Sequence, residues 1–452
     1  MNIIIVGGGK VGYTIAEHLV KENHDITIVD KEEEALRKAD ESMDVMCIKG
    51  NGARKSILIE AGVKEADILI AVTSRDELNM ICCLTAKKTG SLRTIARIRD
   101  PEYYEEFTEL REDMGIDMVI NPEYSAALEI ANILQFPTAM NMESFCSGRV
   151  RMAELRLVQG DFLVGAKLSR ISARLPQNIL FAAIERDGEL IIPGGNFEFL
   201  VEDRVFVIGQ ISGLTNLFKS LSRYIDKIHT VMMAGGGRIT YYLTKIITKL
   251  GMTTKIIELN GKKCIKLSEQ LPEAMLIEGD GTNRIVLESE NLEEIDAFIT
   301  MMGRDEENLI TAMYAVEMGV DKVIALTSRV SLPNVITKLG LDSVISPKVV
   351  TANYILAYVR GVQNSRGSII ESLYRMADGK AEVISFVANK TTVFLDTPIK
   401  ALKIKDHVLI ACIYHHNTVI IPHGNEKIQN GDRVLVITGS ERILMDLNDI
   451  ID

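Results

Sequence analysis

Short apolar runs bounded by glycine, each followed by a helix-length stretch of mixed polarity, set the rhythm of the first 120 residues. Runs near 2–6, 25–30, 44–48, 67–72, 93–98 and 117–120 are rich in Ile and Val and predict strands covered on both faces. Strand alternating with helix is the signature of a doubly wound parallel sheet, an α/β fold. Polar residues mark the helix starts. Ser74-Arg75-Asp76-Glu77 reads as a capping box, with hydroxyl and carboxylate reciprocally satisfying backbone N–H groups. The acidic run at 32–34 falls where a helix should open, and there it offsets the positive end of the macrodipole. After residue 149 the pattern changes to alternating strands such as Arg151–Leu157 and Val205–Ile208, separated by Gly-Asp and Pro-Gly-Gly turns, which predicts a separate α+β domain.

The chain then repeats itself. An offset near 229 places Asn430-Gly431-Asp432-Arg433-Val434 on Val201-Glu202-Asp203-Arg204-Val205. The same shift brings Arg304-Asp305-Glu306 and Asn308 onto Arg75-Asp76-Glu77 and Asn79, and Gly279–Thr282 onto Gly50–Ala53. Duplication predicts four domains: Rossmann-like sheets at 1–140 and 227–362, each followed by a small α+β domain, at 141–226 and 363–452. Strands near 382–387, 408–414 and 433–437 belong to the second small domain.

Composition narrows the function. A net charge of −11, with no block of Lys and Arg, disfavours generic nucleic-acid binding. The longest apolar runs stop far short of the roughly 20 residues needed to cross a bilayer. The N-terminus opens on a strand and a glycine loop, without the basic and apolar segments of a secretory signal, so a chain that is not secreted is expected. Six cysteines in apolar contexts form no CxxC pair and no zinc spacing, and read as reduced core residues.

Gly7-Gly8-Gly9-Lys10-Val11-Gly12 follows the first strand and opens a helix, satisfying the G-x-G-x-x-G template in its required context. Gly7 permits a tight turn off the strand, Gly9 lets a pyrophosphate approach the backbone, and Gly12 allows helix and sheet to pack closely. Asp30, ending the second strand, offers a carboxylate to ribose hydroxyls and would repel a 2′-phosphate, which favours NAD or NADH over NADP. Asn51-Gly52 and Thr73-Ser74 follow the third and fourth strands and are expected to line the same cleft. Arg97 and Arg99, two apart on one strand face, need anions, supplied either by a cofactor phosphate or by a structural carboxylate.

In the second half Gly235 and Gly237 keep the loop, Glu258 stands in the place of Asp30, and Asp280 matches Asn51. Thr240 replaces the third glycine, which puts close helix–sheet packing in doubt, and Leu326 and Ser328 replace the two arginines. Weaker or different binding is expected there. No catalytic constellation emerges. Tyr241 and Lys245 have a Y-x-x-x-K spacing on the wrong helix, and adjacent His415 and His416 on a strand should face opposite sides. Glu202 and Asp203 are either ion ligands or turn residues. An NAD-dependent oxidoreductase remains the alternative reading, weakened by a small domain with no concentration of His, Lys or Tyr; a redox-sensing transcription factor would need a basic helix-turn-helix.

Taken together, the glycine loop, Asp30, the Gly50–Ala53 turn, Ala71 to Asn79, Arg97-Ile98-Arg99 and the tandem duplication resemble the Trk-type potassium uptake regulatory subunits, with their regulator-of-potassium-conductance domains. That resemblance covers almost the whole chain. It implies a cytoplasmic, non-enzymatic subunit at the inner face of the membrane, ringed as a tetramer of tandem modules beneath a membrane-embedded potassium-translocating subunit. NAD or NADH, and also ATP or ADP, would change the ring's shape, with Arg97 and Arg99 serving phosphates. It further implies that the apolar stretches at 124–136 and 349–359 cross to a neighbouring domain, although an ordinary core helix explains them as simply.

Overall fold

Ile3, Ile4, Ile5 and Val6 are each at most 2% exposed, so the first strand is covered on both faces, as its unbroken apolar run requires. The computed structural model describes the chain apart from Leu92, Glu112, Ser147, 172–174, 176–178, 222–224, 329–340, Asp342, 365–367, Asn417 and 440–442. Strands β1 (Asn2–Val6), β2 (Asp25–Asp30), β3 (Met46–Lys49), β4 (Ile68–Ala71), β5 (Arg93–Arg97) and β6 (Met118–Ile120) form one sheet in the order 3-2-1-4-5-6. All its pairs are parallel. This is the doubly wound order whose reversal between β1 and β4 opens a crevice at the carboxyl ends of the strands.

An antiparallel sheet follows, from β7 (Asn141–Phe145), β8 (Val150–Arg156), β9 (Ile179–Arg186), β10 (Glu189–Ile191) and β11 (Arg204–Gly209), ordered 10-9-11-8-7. The second parallel sheet contains β12 (Thr230–Ala234), β13 (Thr253–Glu258), β14 (Met275–Glu278), β15 (Ala297–Thr300), β16 (Lys322–Leu326) and β17 (Ser343–Ile345), ordered 14-13-12-15-16-17. Last comes the antiparallel sheet of β18 (Ile369–Met376), β19 (Ala381–Val387), β20 (Val408–His415), β21 (Thr418–Ile420) and β22 (Arg433–Gly439), ordered 18-19-22-20-21. Read strand for strand, each half repeats the topology of the other. The duplication seen in the sequence is therefore a duplication of fold.

Two compact units result. One comprises Met1–Ala127 with Gly237–Leu243 and Ser346–Leu356; the other comprises Leu128–Gly236, Thr244–Ile345 and Ala357–Asp452. Three helices, Pro122–Gln135, Arg238–Lys249 and Pro347–Gln363, thus begin in one unit and end in the other. Of the stretches at 124–136 and 349–359, the start of the latter falls in the unit that holds the first parallel sheet. In the second unit the two antiparallel sheets share one apolar core, in which Phe145, Met152 and Phe206 join Val383, Leu435 and Ile437. Each such fully buried side chain is worth about 1.5–3 kcal/mol. No helix among the described residues is long and apolar enough to cross a membrane.

Two local expectations are corrected and a third is decided. The helix expected to open with a capping box spans Asp76–Thr89, its N-cap is Arg75, and no side chain caps it. The Asp76 carboxylate is committed instead to the amides of Arg99 and Asp100, both at 2.8 Å. His415 and His416 do not face opposite sides. The strand ends at His415, and His416 turns at φ +41°, which brings its Nδ1 within 2.6 Å of His415 Nε2. Glu202 and Asp203 act as turn residues in ion pairs, with Arg156 at 3.3 Å and Arg186 at 2.7 Å respectively.

Candidate functional site

At the carboxyl end of β1 the chain turns through Gly7, at φ +109°, where a Cβ would lie 2.9 Å from the Thr73 amide nitrogen. A Cβ on Gly12 would overlap the Gly7 carbonyl oxygen. Both glycines are demanded by the close approach of the helix Lys10–Lys21 to the turn that precedes it. Gly9 differs. It has an ordinary φ of −67°, and a Cβ there would meet nothing within 4 Å, so the fold itself does not require a glycine. As N-cap it offers no side-chain hydrogen bond, and the first turn, with Lys10, Val11 and Gly12, contains no acid. Helices at Pro101 and Gly261 are capped by Asp100 and Asn260, and those at Glu33 and Asp76 go uncapped like this one but carry acids in the first turn. An uncapped N-terminus with its partial positive charge facing open space is what an anion such as a pyrophosphate needs.

Asp30 closes β2 beside this turn. Its Oδ2 accepts the Gly8 N–H at 2.5 Å and its Oδ1 accepts the Glu32 N–H at 3.0 Å. A carboxylate has about four acceptor positions, so these bonds orient the group while leaving capacity for sugar hydroxyls. A Cβ on Gly52 would overlap the Val6 side chain, and the Asn51 side chain accepts the Ala53 N–H at 3.2 Å. The Thr73 N–H and hydroxyl both donate to Asn79 Oδ1, at 2.8 and 2.7 Å. The loops after β1, β2, β3 and β4 therefore meet at one sheet edge, and Gly7, Gly8, Gly9, Lys10, Val11, Gly12, Asp30, Asn51, Gly52, Thr73 and Ser74 are brought to it.

Arg97 ends β5 and is 8% exposed; its Nη2 donates to the Thr73 carbonyl at 2.5 Å. Arg99 lies beyond the strand, donates to the Ser74 carbonyl at 2.7 Å, and stands 3.8 Å from Asp76 and 3.7 Å from Glu123. Structural carboxylates thus face Arg99, whereas Arg97 meets a carbonyl. Among the described residues neither Nε has a hydrogen-bond partner. Burial, reinforced by the like charge of Arg99, brings Arg97 down to about 10, and burial raises the Glu123 carboxyl despite the arginines around it.

Other participants escaped sequence reasoning. Asn79 holds the edge together, with Nδ2 donating to the Arg97 carbonyl at 2.8 Å. Arg238, the residue after the second glycine loop, adds its charge to that of Arg97 and acts on Glu123. Tyr242 receives the Asn121 Nδ2–H at 2.9 Å, donates to the Arg99 carbonyl at 3.1 Å and packs against Tyr124, with ring centroids 5.4 Å apart. Tyr241 stands edge-on to Tyr242 at 5.5 Å. The signals were the Asn repeated at 79 and 308 and the basic residue following both glycine triplets.

The second module repeats the frame with different chemistry. Gly235 turns at φ +106° and the Gly236 N–H donates to Glu258 Oε2 at 2.8 Å. Burial alone would raise the Glu258 carboxyl, but the Lys263 ammonium at 2.8 Å and the amides of Asn260 and Gly236 outweigh it and hold it below its ordinary value. At Gly237, as at Gly9, a Cβ would meet nothing within 4 Å. Thr240 is fully buried within its helix, so its Cβ is accommodated. Asp280 is exposed and accepts the Thr282 N–H and hydroxyl, which hold it low. In place of an arginine, Ser328 gives Asp305 both its N–H, at 2.9 Å, and its hydroxyl, at 2.8 Å.

Comparison with known proteins places this frame. Residues 3–122 and 231–347 match the TrkA-N domain, and 152–222 and 383–447 match the TrkA-C domain. The Trk system potassium uptake protein TrkA homolog 2 of Methanosarcina mazei is 33% identical over 451 residues, 98% of each chain. TrkA of Vibrio alginolyticus is 32% identical over 454 residues, 99% of this chain and 98% of that one. Among solved structures, the GsuK channel bound to NAD shares the fold with a TM-score of 0.63 and 18% identity, over 97% of this chain and 77% of its own. With its fold duplicated and both kinds of domain matched twice, the chain belongs to the family of the Trk system potassium uptake protein TrkA.

Proposed function

We propose that this chain is a nucleotide-sensing regulatory subunit of a Trk-type potassium uptake system, and that the first module is its principal sensor. The observation that carries the reading is the uncapped N-terminus of the helix Lys10–Lys21, with open space at Gly9 and the Asp30 carboxylate beside it. Backbone amides there would hold the pyrophosphate of NAD or NADH, Asp30 the ribose, and Asn51, Gly52, Thr73 and Ser74 the remaining edge. Arg97 would face phosphate, and the same loop would admit ATP or ADP in competition. The NAD bound by the GsuK channel, a protein of the same fold, supports this choice. In the second module Gly235, Gly237, Glu258 and Asp280 would form a weaker site, because Lys263 already neutralises the carboxylate.

Sensing requires no turnover. A ligand with different affinity for two arrangements shifts their populations and thereby the partner it is coupled to. Tandem modules at 1–140 with 141–226, and 227–362 with 363–452, would assemble as a tetrameric ring on the cytoplasmic face, beneath a membrane-embedded potassium-translocating subunit. Gly9→Leu tests the site cleanly, because the fold leaves room for the side chain. Calorimetric titration of the full chain should show binding of NAD, NADH, ADP or ATP, weakened at least about tenfold (about 1.4 kcal/mol) by the variant, with the melting temperature of the ligand-free protein little changed. Undiminished affinity in Gly9→Leu would refute the assignment, and steady consumption of NADH with a carbonyl substrate would favour an oxidoreductase.

A further inference from the structure

Duplication lets each side-chain pair in one small domain be checked against its copy in the other. In the first, Arg186 grips Asp203 through two bonds, Nε to Oδ1 and Nη2 to Oδ2, both 2.7 Å. Asp203 is 1% exposed, and its Oδ2 also accepts the Leu200 N–H at 2.8 Å. Shifted by 229, the corresponding residues are His415, Asp432 and Gln429. Asp432 is 3% exposed, its Oδ2 accepts the Gln429 N–H at 2.7 Å, and its Oδ1 lies 2.5 Å from His415 Nδ1. The buried carboxylate and its loop are copied faithfully. Only the cation has changed, from a guanidinium that is always charged to an imidazole, the side chain suited to titrating near neutrality.

His416 extends the arrangement. It sits in the left-handed region at φ +41°, as Asp187 does at φ +51° in the first copy, and there its Nδ1 meets His415 Nε2 at 2.6 Å. The two rings are 4.1 Å apart at 87°. We propose that His415, His416 and Asp432 form a proton-operated latch that fastens the segment 421–432 to the second small domain, and that Arg186 and Asp203 form its pH-indifferent counterpart in the first. The inference does not rest on the nucleotide reading.

The proton count follows from the contacts. His415 commits its Nδ1–H to Asp432, so a single proton lies between His415 Nε2 and His416 Nδ1. In the neutral pair His416 donates it. One added proton turns His415 into an imidazolium that donates to both neighbours, and its bond to the carboxylate gains the attraction of an ion pair. A second would set N–H against N–H and drive the rings apart. The latch is therefore tightest with one positive charge, and its hold weakens when that proton is withdrawn.

Other charges nearby are engaged elsewhere. Arg433 pairs with Glu371 at 2.8 Å, and Glu426 accepts the His423 N–H at 2.6 Å. His423 and Lys427 are the other ionisable side chains of the segment, and Thr418, opposite His415 in β21, is neutral.

Hydrogen exchange on the full chain between about pH 5.5 and 8, corrected for intrinsic rates, tests the latch. Protection of 421–432 should fall about tenfold across that range in the native sequence and stay flat in His415→Arg, which copies the first domain. His415→Gln keeps a donor without a charge and should be flat at the lower level; it serves as the control if arginine unfolds the domain. A flat native profile, or a pH dependence that survives in either variant, would overturn the proposal.

Discussion

The two glycine-loop clefts share a frame and differ in charge. In both, an asparagine knits the loop after the fourth strand to the fifth: Asn79 to Thr73 and Arg97, Asn308 to Met302 and Leu326. In both, an aspartate at the next helix start holds a backbone N–H, Asp76 that of Arg99 and Asp305 that of Ser328. Side chains on this frame have diverged. The first cleft gathers Arg97, Arg99, Asp76 and Glu123, whereas the second has Leu326 and Ser328, and Lys348 follows Pro347 as Glu123 follows Pro122. On the helix Pro347–Gln363 the second module carries a fully buried arginine. There Arg360, at 0% exposure, pairs bidentately with Glu382 at 2.7 and 3.0 Å. Backbone-directed hydrogen bonds preserve a fold through duplication, while the ionic side chains are free to change function.

The comparison can be broken at three places. Arg360→Ala should cost most, about 3–5 kcal/mol of unfolding free energy in denaturant titrations, because it takes from the buried Glu382 carboxylate its bidentate partner and leaves Arg375, at 3.1 Å, beside it. A loss below about 1 kcal/mol would show that the second module's ionic tie is dispensable. Next, Arg97→Leu installs the second module's residue in the first cleft. Nucleotide affinity should fall about tenfold, roughly 1.4 kcal/mol by calorimetry. Equal affinity would mean that the clefts differ in appearance alone. Smallest is Glu129→Gln, on the first crossover helix where the second carries Tyr354. Burial pushes Glu129 up to about 7 from 4.5, and neighbouring Glu143 is raised further by burial and by Glu129 itself. The folded chain thus keeps a proton that the unfolded chain releases. Its stability from this group is complete below about pH 4.5 and lost as pH rises through 7. The amide should match the native chain at acid pH and exceed it above pH 7, in paired thermal melts. Parallel curves at all pH values would remove the carboxyl from the account.

Much of this was legible because parallel strands advertise themselves. Runs such as Asn2–Val6 and Asp25–Asp30 were bounded correctly, since full burial leaves no polar interruption to blur their ends. Gly7, Gly12 and Asp30 could be read for the same reason, each being forced by a clash or a short bond. Contacts between residues distant in sequence were not readable. Arg99 looked like half of a strand pair, yet it leaves the strand to meet Asp76 and Glu123. Ser74 looked like a cap, but Arg99 takes its carbonyl and the chain leaving β4 serves the cleft edge instead. Tyr242, from the second repeat, braces the Arg99 carbonyl of the first, and no local pattern marks such a partner.

The three helices divided between the units make excision a poor experiment. A fragment severed near residue 226 would carry the whole first parallel sheet yet lack Gly237–Leu243 and Ser346–Leu356, which complete its compact unit.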